Sequence, residues 1–439
     1  MNAISDGIIA ADFAQRAPTL PGSGLPWLAT VRRRAFERFA AAGFPTPANE
    51  GWKYTNLAPL VSAALPVASP GPLAHLDAAE LLADLGEGHR LVFVNGHYAP
   101  DLSAPGVLPT GLTAINLAEA LARYAKLIEP HFGTPEDGTP MAALNAALAT
   151  DGAFIHLARG AIVEQPLHLV FLADAAGTAN HPRILIVAEE GAQASVVEHY
   201  VGRGDASYWT NSVTRISLAP NARIRHYKVQ EEGLQAFHLA DISAAQLAGS
   251  YFESHSFSLG GRLTRNDIAT RFAGEGCETL FNGLYIAVGR QHVDHHTRID
   301  HAQPHGTSRE FYRGIVDEAA RGIFTGRILV REGARKSDAQ QRSDTLLLSP
   351  QAEADARPQL EIYADDVKCA HGATIGQLDE TALFYLRTRG IDAELGRAML
   401  THAFGHQVIE RIGIPALRAR LEQALLARLP AGERVQENA

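Results

Sequence analysis

The sequence contains very little cysteine and no long apolar segment. Only Cys277 and Cys369 occur among its 439 residues, which excludes a disulfide framework and fits a reducing compartment. Two thiols cannot by themselves form a four-thiolate metal site, so any bound metal needs ligands from histidine, carboxylates or another subunit. No apolar run reaches the roughly 18 residues of a membrane-spanning helix, and we expect no association with a membrane.

The sequence also lacks an excess of basic residues, since 48 Asp and Glu outnumber 39 Lys and Arg. The net charge is −9, whereas a general nucleic-acid-binding protein needs a basic face that neutralises phosphates. The N-terminal segment has neither the basic start nor the apolar stretch of a secretory signal, and it carries acids that transit peptides avoid. We therefore expect a cytoplasmic protein that binds no nucleic acid.

A nucleotide-binding loop is missing as well. The segment LGGRLTRND at 259–267 has two glycines, but it lacks the lysine followed by Ser or Thr and the strand–loop–helix context of a phosphate-binding loop. If ATP is used, a partner hydrolyses it.

What is present is a repeat of short strands and turns that begins near Phe154. One series of segments is spaced by 30, 27, 28 and 29 residues and starts at Gly191, Asn221, Ala248, Gly276 and His305. A second series alternates with it and starts at Ser212, His238, Arg265, Val293, Gly326 and Leu360. A strand-only repeat of this length is typical of one coil of a β-helix, in which stacking buries the inward side chains. A meandering antiparallel sandwich is the alternative.

Helices are predicted on both sides of the repeat. Residues 1–150 are predicted to form a mostly helical domain, with helices at 25–42 and 117–127, and residues 151–374 the β-helix core. Residues 375–439 form a predicted helical domain in which Asp379 and Asp392 cap helices and Gly390 ends one. The predicted fold class is mainly β, a parallel β-helix flanked by N-terminal and C-terminal α-helical domains.

The strongest local signal is the segment from Lys368 to Ile391. In an extended strand Cys369 and His371 point to the same face, and a thiolate beside an imidazole can bind iron or zinc. Lys368 is expected to favour the thiolate. The alternative is a small buried cysteine and a hydrogen-bonded histidine where the last coil meets the helices.

This segment, with AFGHQVIERI after it, closely resembles the C-terminal block shared by SufB and SufD proteins of iron–sulfur cluster assembly. GWKYTNL at 51–57 resembles an N-terminal element of SufD-type members, and SREFYRGIV lies between these blocks. The form CAHGATIGQLDE and the length favour the SufD type over the longer SufB type. The matches extend from residue 51 to about residue 412.

The resemblance implies a right-handed β-helix that acts as a non-catalytic scaffold with a SufB-type subunit and the ATPase SufC. His371, with Cys369, is then expected at the SufB–SufD interface, where iron binds or a nascent cluster forms. We expect no cofactor to be bound stably by the isolated chain. In isolation the chain could also form a homodimer. The resemblance assigns SufC binding to the C-terminal helices, and the contact residues predicted there are Leu383, Phe384, Tyr385, Arg387, Arg389 and Phe404.

A second candidate metal site is HVDHHTRIDHAQPH at 292–305. Alternation places His292, Asp294 and His296 on one face of a strand and His295 on the other. A solvent-facing polar strand is the simpler alternative. The DHH triplet also occurs in phosphoesterases, but the further aspartate motifs of that class are absent from the sequence.

Two other functions are compatible with the repeat. The chain could be a SufB-like cluster scaffold itself, or a β-helix enzyme that acts on carbohydrates through outward acids. Asp267, Asp294 and Asp300 are the acids that such an enzyme could use, although they lie on different predicted coils.

Overall fold

The structure, a computed structural model, describes residues 3–71, 77–133, 138–173, 175–202 and 204–437. The helices before the solenoid are α1 (Ala3–Arg16), α2 (Pro26–Ala42), α3 (Ala58–Ala63), α4 (Ala78–Ala83), α5 (Leu117–Arg123), α6 (Ala125–Ile128) and α7 (Pro140–Leu148). Those after it are α8 (Glu380–Thr388), α9 (Ala393–Ile409), α10 (Pro415–Leu426) and α11 (Gly432–Glu437). In the described residues no helix is both long and apolar enough to cross a membrane.

The strands form two long sheets. The first ten are β1 (His89–Val94), β2 (His97–Tyr98), β3 (Leu112–Asn116), β4 (Ala153–Leu157), β5 (Leu167–Leu172), β6 (Ala179–Asn180), β7 (Arg183–Ala188), β8 (Gln193–Val201), β9 (Trp209–Leu218) and β10 (Arg223–Glu231). The others are β11 (Phe237–Gln246), β12 (Tyr251–Ser258), β13 (Leu263–Phe272), β14 (Glu278–Ala287), β15 (His292–His301), β16 (Thr307–Val316), β17 (Arg321–Val330), β18 (Asp338–Leu347), β19 (Glu353–Ile362) and β20 (Lys368–Gly376).

From β7 onward, successive strands of the chain alternate between the two sheets. One sheet has the order β2-β1-β5-β8-β10-β12-β14-β16-β18-β20, and the other β19-β17-β15-β13-β11-β9-β7-β4-β3, with β6 paired to β9. All pairs are parallel except β1 with β2 and β3 with β4. This is a parallel β-solenoid of about eight turns with helices at both termini, and the predicted fold class is confirmed.

The register between coils explains the repeat in the sequence. Gln193, Arg223, Tyr251, Glu278 and Thr307 stand side by side on adjacent strands, and they are separated by 30, 28, 27 and 29 residues. Because each coil repeats the inward positions of the one before it, like side chains stack. Phe93, Phe171 and Tyr200 form such a ladder, with ring centroids 4.9 and 4.8 Å apart, which is the separation of neighbouring strands.

The solenoid sheets begin inside the region predicted to be mostly helical. Strand β1 pairs with β5, and β3 pairs with β4, so both join the solenoid although they lie before residue 150. Their short segments, HRLVFV and LTAIN, lack the spacing that marks the later coils. The predicted helix at 117–127 is divided into α5 and α6 at Tyr124.

The C-terminal helices cover the outer face of one sheet. Val408, Ile412 and Leu421 are buried against Val229 and Ile315 of the solenoid. The side chain of Asp379 accepts from the backbone N–H of Thr381 at 2.8 Å and that of Asp392 from Leu395 at 2.9 Å, so both caps form as predicted. Gly390, at φ +87°, follows the end of α8 and has the left-handed conformation that glycine adopts without strain.

Two glycines make room for large side chains inside the solenoid. Gly283 on β14 pairs with Tyr312 on β16, and Gly314 on β16 pairs with Tyr285 on β14. A Cβ added at either glycine would lie 2.1 Å from the ring of its tyrosine partner. Both tyrosines are fully buried, so the rings cannot move into solvent.

We predict that Gly283→Ala and Gly314→Ala each lower the free energy of unfolding by about 1–3 kcal/mol, the usual cost of overpacking a core. Chemical denaturation of the full chain measures it. Gly372→Ala is the matched control, because this strand glycine has open space where the methyl group would go. Equal stability of all three variants would contradict the packing described here.

Candidate functional site

The solenoid ends at strands β19 and β20, each of which is the last strand of its sheet. In the described part of the chain, no further coil stacks on them, and almost every residue of β20 is exposed. Unpaired backbone groups at such an edge can pair with another strand. Exposed apolar side chains stand beside these groups: Ile362 is 42%, Tyr363 65% and Ile375 45% exposed. This surface, the open end, is defined by strands β19 and β20 together with Tyr363.

Cys369 and His371 lie at the open end on the inward side of β20. They pair with Ala339 and Gln341 of β18, both of which are buried. Cys369 packs partly against the interior apolar cluster, while His371 is exposed on this last strand. The structure thus places the two side chains on one face of one strand, as the alternation of a strand predicts.

The thiol of Cys369 is not activated as expected. Burial is the largest influence and raises its pKa, and the nearby carboxylate of Asp338 raises it further. The expectation that Lys368 favours the thiolate is therefore wrong, because adjacent side chains of a strand point to opposite faces. Cys277, by contrast, is a buried structural residue whose thiol donates to the carbonyl oxygen of Gly274 at 3.1 Å.

A buried acid lies beneath His371. In register order His371 stacks on Gln341, and Gln341 stacks on Glu310, to which its side-chain amide donates. Burial raises the pKa of Glu310 to about 7. No local sequence pattern marks this acid, because only the register shows that residues 310, 341 and 371 share one inward column.

The residues predicted to contact an ATPase are divided between surface and interior. Phe384 is 65% and Tyr385 56% exposed on α8, and Arg389 lies over the Tyr385 ring at 4.4 Å. Arg387 is exposed as well. Leu383 is buried, and the half-buried Phe404 packs inward, with its carbonyl accepting from Arg313 at 2.7 Å. Only the exposed members of this set can meet a partner directly.

The segment from His292 to His296 belongs to a different network. Asp294 is buried and accepts from Thr55 at 2.5 Å and from Arg265 at 2.9 Å, and its other oxygen lies 3.0 Å from His296 Nε2. Burial opposes the charge, but His296 and Arg265 outweigh it and hold the pKa of Asp294 below its usual value. A guanidinium already neutralises this carboxylate.

The network ties the N-terminal motif GWKYTNL to the solenoid. Thr55 also lies 2.9 Å from His292 Nε2, and Trp52 lies under Arg265 with the guanidinium carbon 3.8 Å from the ring centroid. His295 points to the opposite, inward side and lies 3.2 Å from the Ser258 hydroxyl. The metal site proposed for His292, Asp294 and His296 stays a prediction, and the contacts seen there are those of a docking site for the N-terminal segment.

We predict that Glu310→Gln changes the pH dependence of stability. In the unfolded chain Glu310 loses its proton near its ordinary pKa of 4.5, so the folded chain binds more protons between that pH and about 7 and loses stability as pH rises through this window. The free energy of unfolding of the variant, relative to that of the parent chain, should therefore rise by about 2–3 kcal/mol between pH 5 and pH 8. Denaturant titrations at both pH values measure the gain.

Glu353→Gln, at an exposed carboxylate of β19, is the control and should show no such gain. A Glu310→Gln effect that is the same at both pH values would contradict the raised pKa.

Two family models match this chain: the SufBD core domain of SUF-system FeS cluster assembly over residues 171–404, and the SufBD protein N-terminal region over residues 10–169. The iron–sulfur cluster assembly protein SufD of Escherichia coli is 33% identical, over 91% of this chain and 92% of the relative. A SufBD family protein of Synechocystis is 32% identical over 91% of both chains, and SufD of Bacillus subtilis is 27% identical over 90% and 92%. The family predicted from the motifs is confirmed. The chain belongs to the SufBD family of iron–sulfur cluster assembly proteins.

Proposed function

We propose that this chain is a non-catalytic SufD-type scaffold subunit that pairs with a SufB-type subunit through the open end. The observation that carries the proposal is the position of His371, exposed on the last strand of a parallel solenoid. Iron or a nascent cluster would be the cargo of this interface, with His371 and Cys369 as ligands and the remaining ligands from the partner. We place the protein in the cytoplasm, where both cysteines remain thiols.

Backbone and side chains of the open end both suit a strand-to-strand partner. Edge strands add a partner strand through main-chain hydrogen bonds, and side-chain pockets then give specificity. Ile375 and Ile362 are apolar and exposed here, whereas isolated proteins usually protect an edge with charge or a covering loop. Two copies of this chain could bury the same surfaces, so a homodimer in isolation is part of the proposal.

The second proposed surface is α8, which would bind a SufC-type ATPase. Large exposed aromatic residues beside arginines are the composition of interface hot spots, and Phe384, Tyr385 and Arg389 provide it. Motion driven by ATP in the partner would then reach the open end through the helices packed on the solenoid. We expect the solenoid to transmit it as a stiff unit, because each coil is hydrogen-bonded in register to the next.

The carbohydrate-enzyme alternative is weakened by the pairing of its acids. Asp267 is bound by Arg265 through two contacts of 2.9 Å, and Asp300 by Arg331 through two contacts of 2.7 Å. Asp294 also contacts Arg265. An arginine of the chain therefore already occupies oxygens of all three carboxylates, and a carbohydrate substrate would have to displace it.

We expect the two surfaces to be separable in co-purification with the SufB-type and SufC-type proteins of the same organism. Ile375→Lys should reduce retention of the SufB-type subunit, because a lysine on an edge strand opposes pairing. Phe384→Ala should weaken SufC-type binding about 30-fold, the effect of losing a hot spot of about 2 kcal/mol.

Val107→Lys is the control for the added charge, since Val107 is 94% exposed and lies outside the open end. If Ile375→Lys leaves retention of the SufB-type subunit unchanged, the open end is not the interface.

We expect His371→Ala to lower iron or cluster content without loss of assembly. An exposed side chain can be truncated without disturbing the core, so the complex should still form, and its metal content after anaerobic reconstitution measures the ligand role. His97→Ala, at a half-buried histidine on β2 near the other end of the solenoid, is the control. Normal metal content in the assembled His371→Ala complex would refute the assignment.

A further inference from the structure

A cluster of metal-ligand side chains lies in the C-terminal helical layer, outside the open end and the α8 surface. His402 and His406 are one helical turn apart on α9, and Glu422 faces them from α10. Their ligand atoms all lie within 4.8 Å of one another, and among the described residues this is the one group of three such side chains that converges.

The geometry suits one small divalent ion. Histidines at i and i+4 share a helix face, and ligand atoms about 2 Å from a tetrahedral zinc are about 3.3 Å apart. His406 Nδ1 already lies 3.0 Å from one oxygen of Glu422, and His402 Nε2 is in contact with the other oxygen. Each imidazole therefore presents a nitrogen to the same carboxylate, and the ion would replace the protons that now bridge them.

The surroundings add support for a bound ion. Glu410 Oε2 lies 4.0 Å from His406 Nε2, the ring nitrogen that the metal would not use. This is beyond hydrogen-bond distance, so Glu410 adds a negative charge near the site and does not hold the ring. The side chain of His402 is 16%, that of Glu422 25% and that of His406 43% exposed. The site is therefore held by the helices yet open to water on one side, which leaves room for a fourth ligand.

We propose that His402, His406 and Glu422 bind a divalent ion of the zinc class, with water as the fourth ligand. Two imidazoles and one carboxylate suit such an ion better than calcium or magnesium, which prefer oxygen ligands alone. The ion would bind the chain alone, without a partner subunit, and would join α9 to α10. Without an ion, the same side chains form hydrogen bonds between these helices.

Isothermal titration calorimetry of the full-length chain with Zn²⁺ tests the site. The titration uses the Cys369→Ala/His371→Ala variant, because those exposed side chains could bind zinc themselves. We expect one equivalent to bind, and affinity to fall more than 100-fold in His402→Ala, His406→Ala and Glu422→Gln. Glu410→Gln should weaken binding less than these three variants do, because Glu410 adds only a nearby charge.

Glu394→Gln, at an exposed carboxylate on α9, is the matched control and should bind as the parent does. His402→Gln and His406→Gln serve if the alanine variants fold poorly by circular dichroism. Co²⁺ is a second probe: absorption without thiolate charge transfer supports histidine and carboxylate ligands. The proposal is overturned if one equivalent still binds after either histidine is replaced, or if the parent shows only weak binding without a defined stoichiometry.

Discussion

Each strand of the solenoid pairs with the same strand of the next coil at a nearly constant register, and every other feature of this protein depends on that pairing. Because the register repeats, a residue's inward or outward position is inherited along the stack. Aromatic rings therefore stack at the strand separation, and a glycine on one strand faces a tyrosine on the next. Strands β19 and β20 are the last in their sheets, and no other described strand pairs with their outer edges.

The same register gathers polar groups inside the solenoid. Glu198 accepts from Tyr200 and Thr214, each at 2.7 Å, and lies 3.1 Å from His226 Nε2, with all four side chains buried. Lys228 lies over the Tyr200 ring at 4.9 Å, and burial lowers its pKa to about 8. Buried ionic groups are costly unless they are paired or hydrogen-bonded, and three polar side chains meet Glu198 here. Glu310 and Gln341 continue the polar interior to His371 at the open end.

Both helical regions pack on the solenoid through apolar burial, and the N-terminal region adds a charged network. The C-terminal layer relies mainly on apolar burial, with Val408 and Leu421 against the outer face of one sheet, and Arg313 adds a hydrogen bond to the carbonyl of Phe404. The N-terminal segment at Trp52 and Thr55 is anchored by the charged network of Arg265 and Asp294. The histidine-rich strand β15 takes part in this network, because Arg265 of the neighbouring strand and Thr55 both contact its Asp294.

The sequence alone determined the repeat length, the helix caps at Asp379 and Asp392, the shared face of Cys369 and His371, and the family. These are local properties, because strand alternation, helix capping and motifs depend on residues that are close together along the chain. Only the tertiary structure decided that β1 and β3 belong to the solenoid, that burial raises the pKa of Cys369, and that Leu383 points inward while Phe384 is exposed. It also brought Glu422 to His402 and His406, and Glu310 beneath His371. Such pairs are joined by packing between elements that are distant in sequence, and no local pattern records which of them will meet.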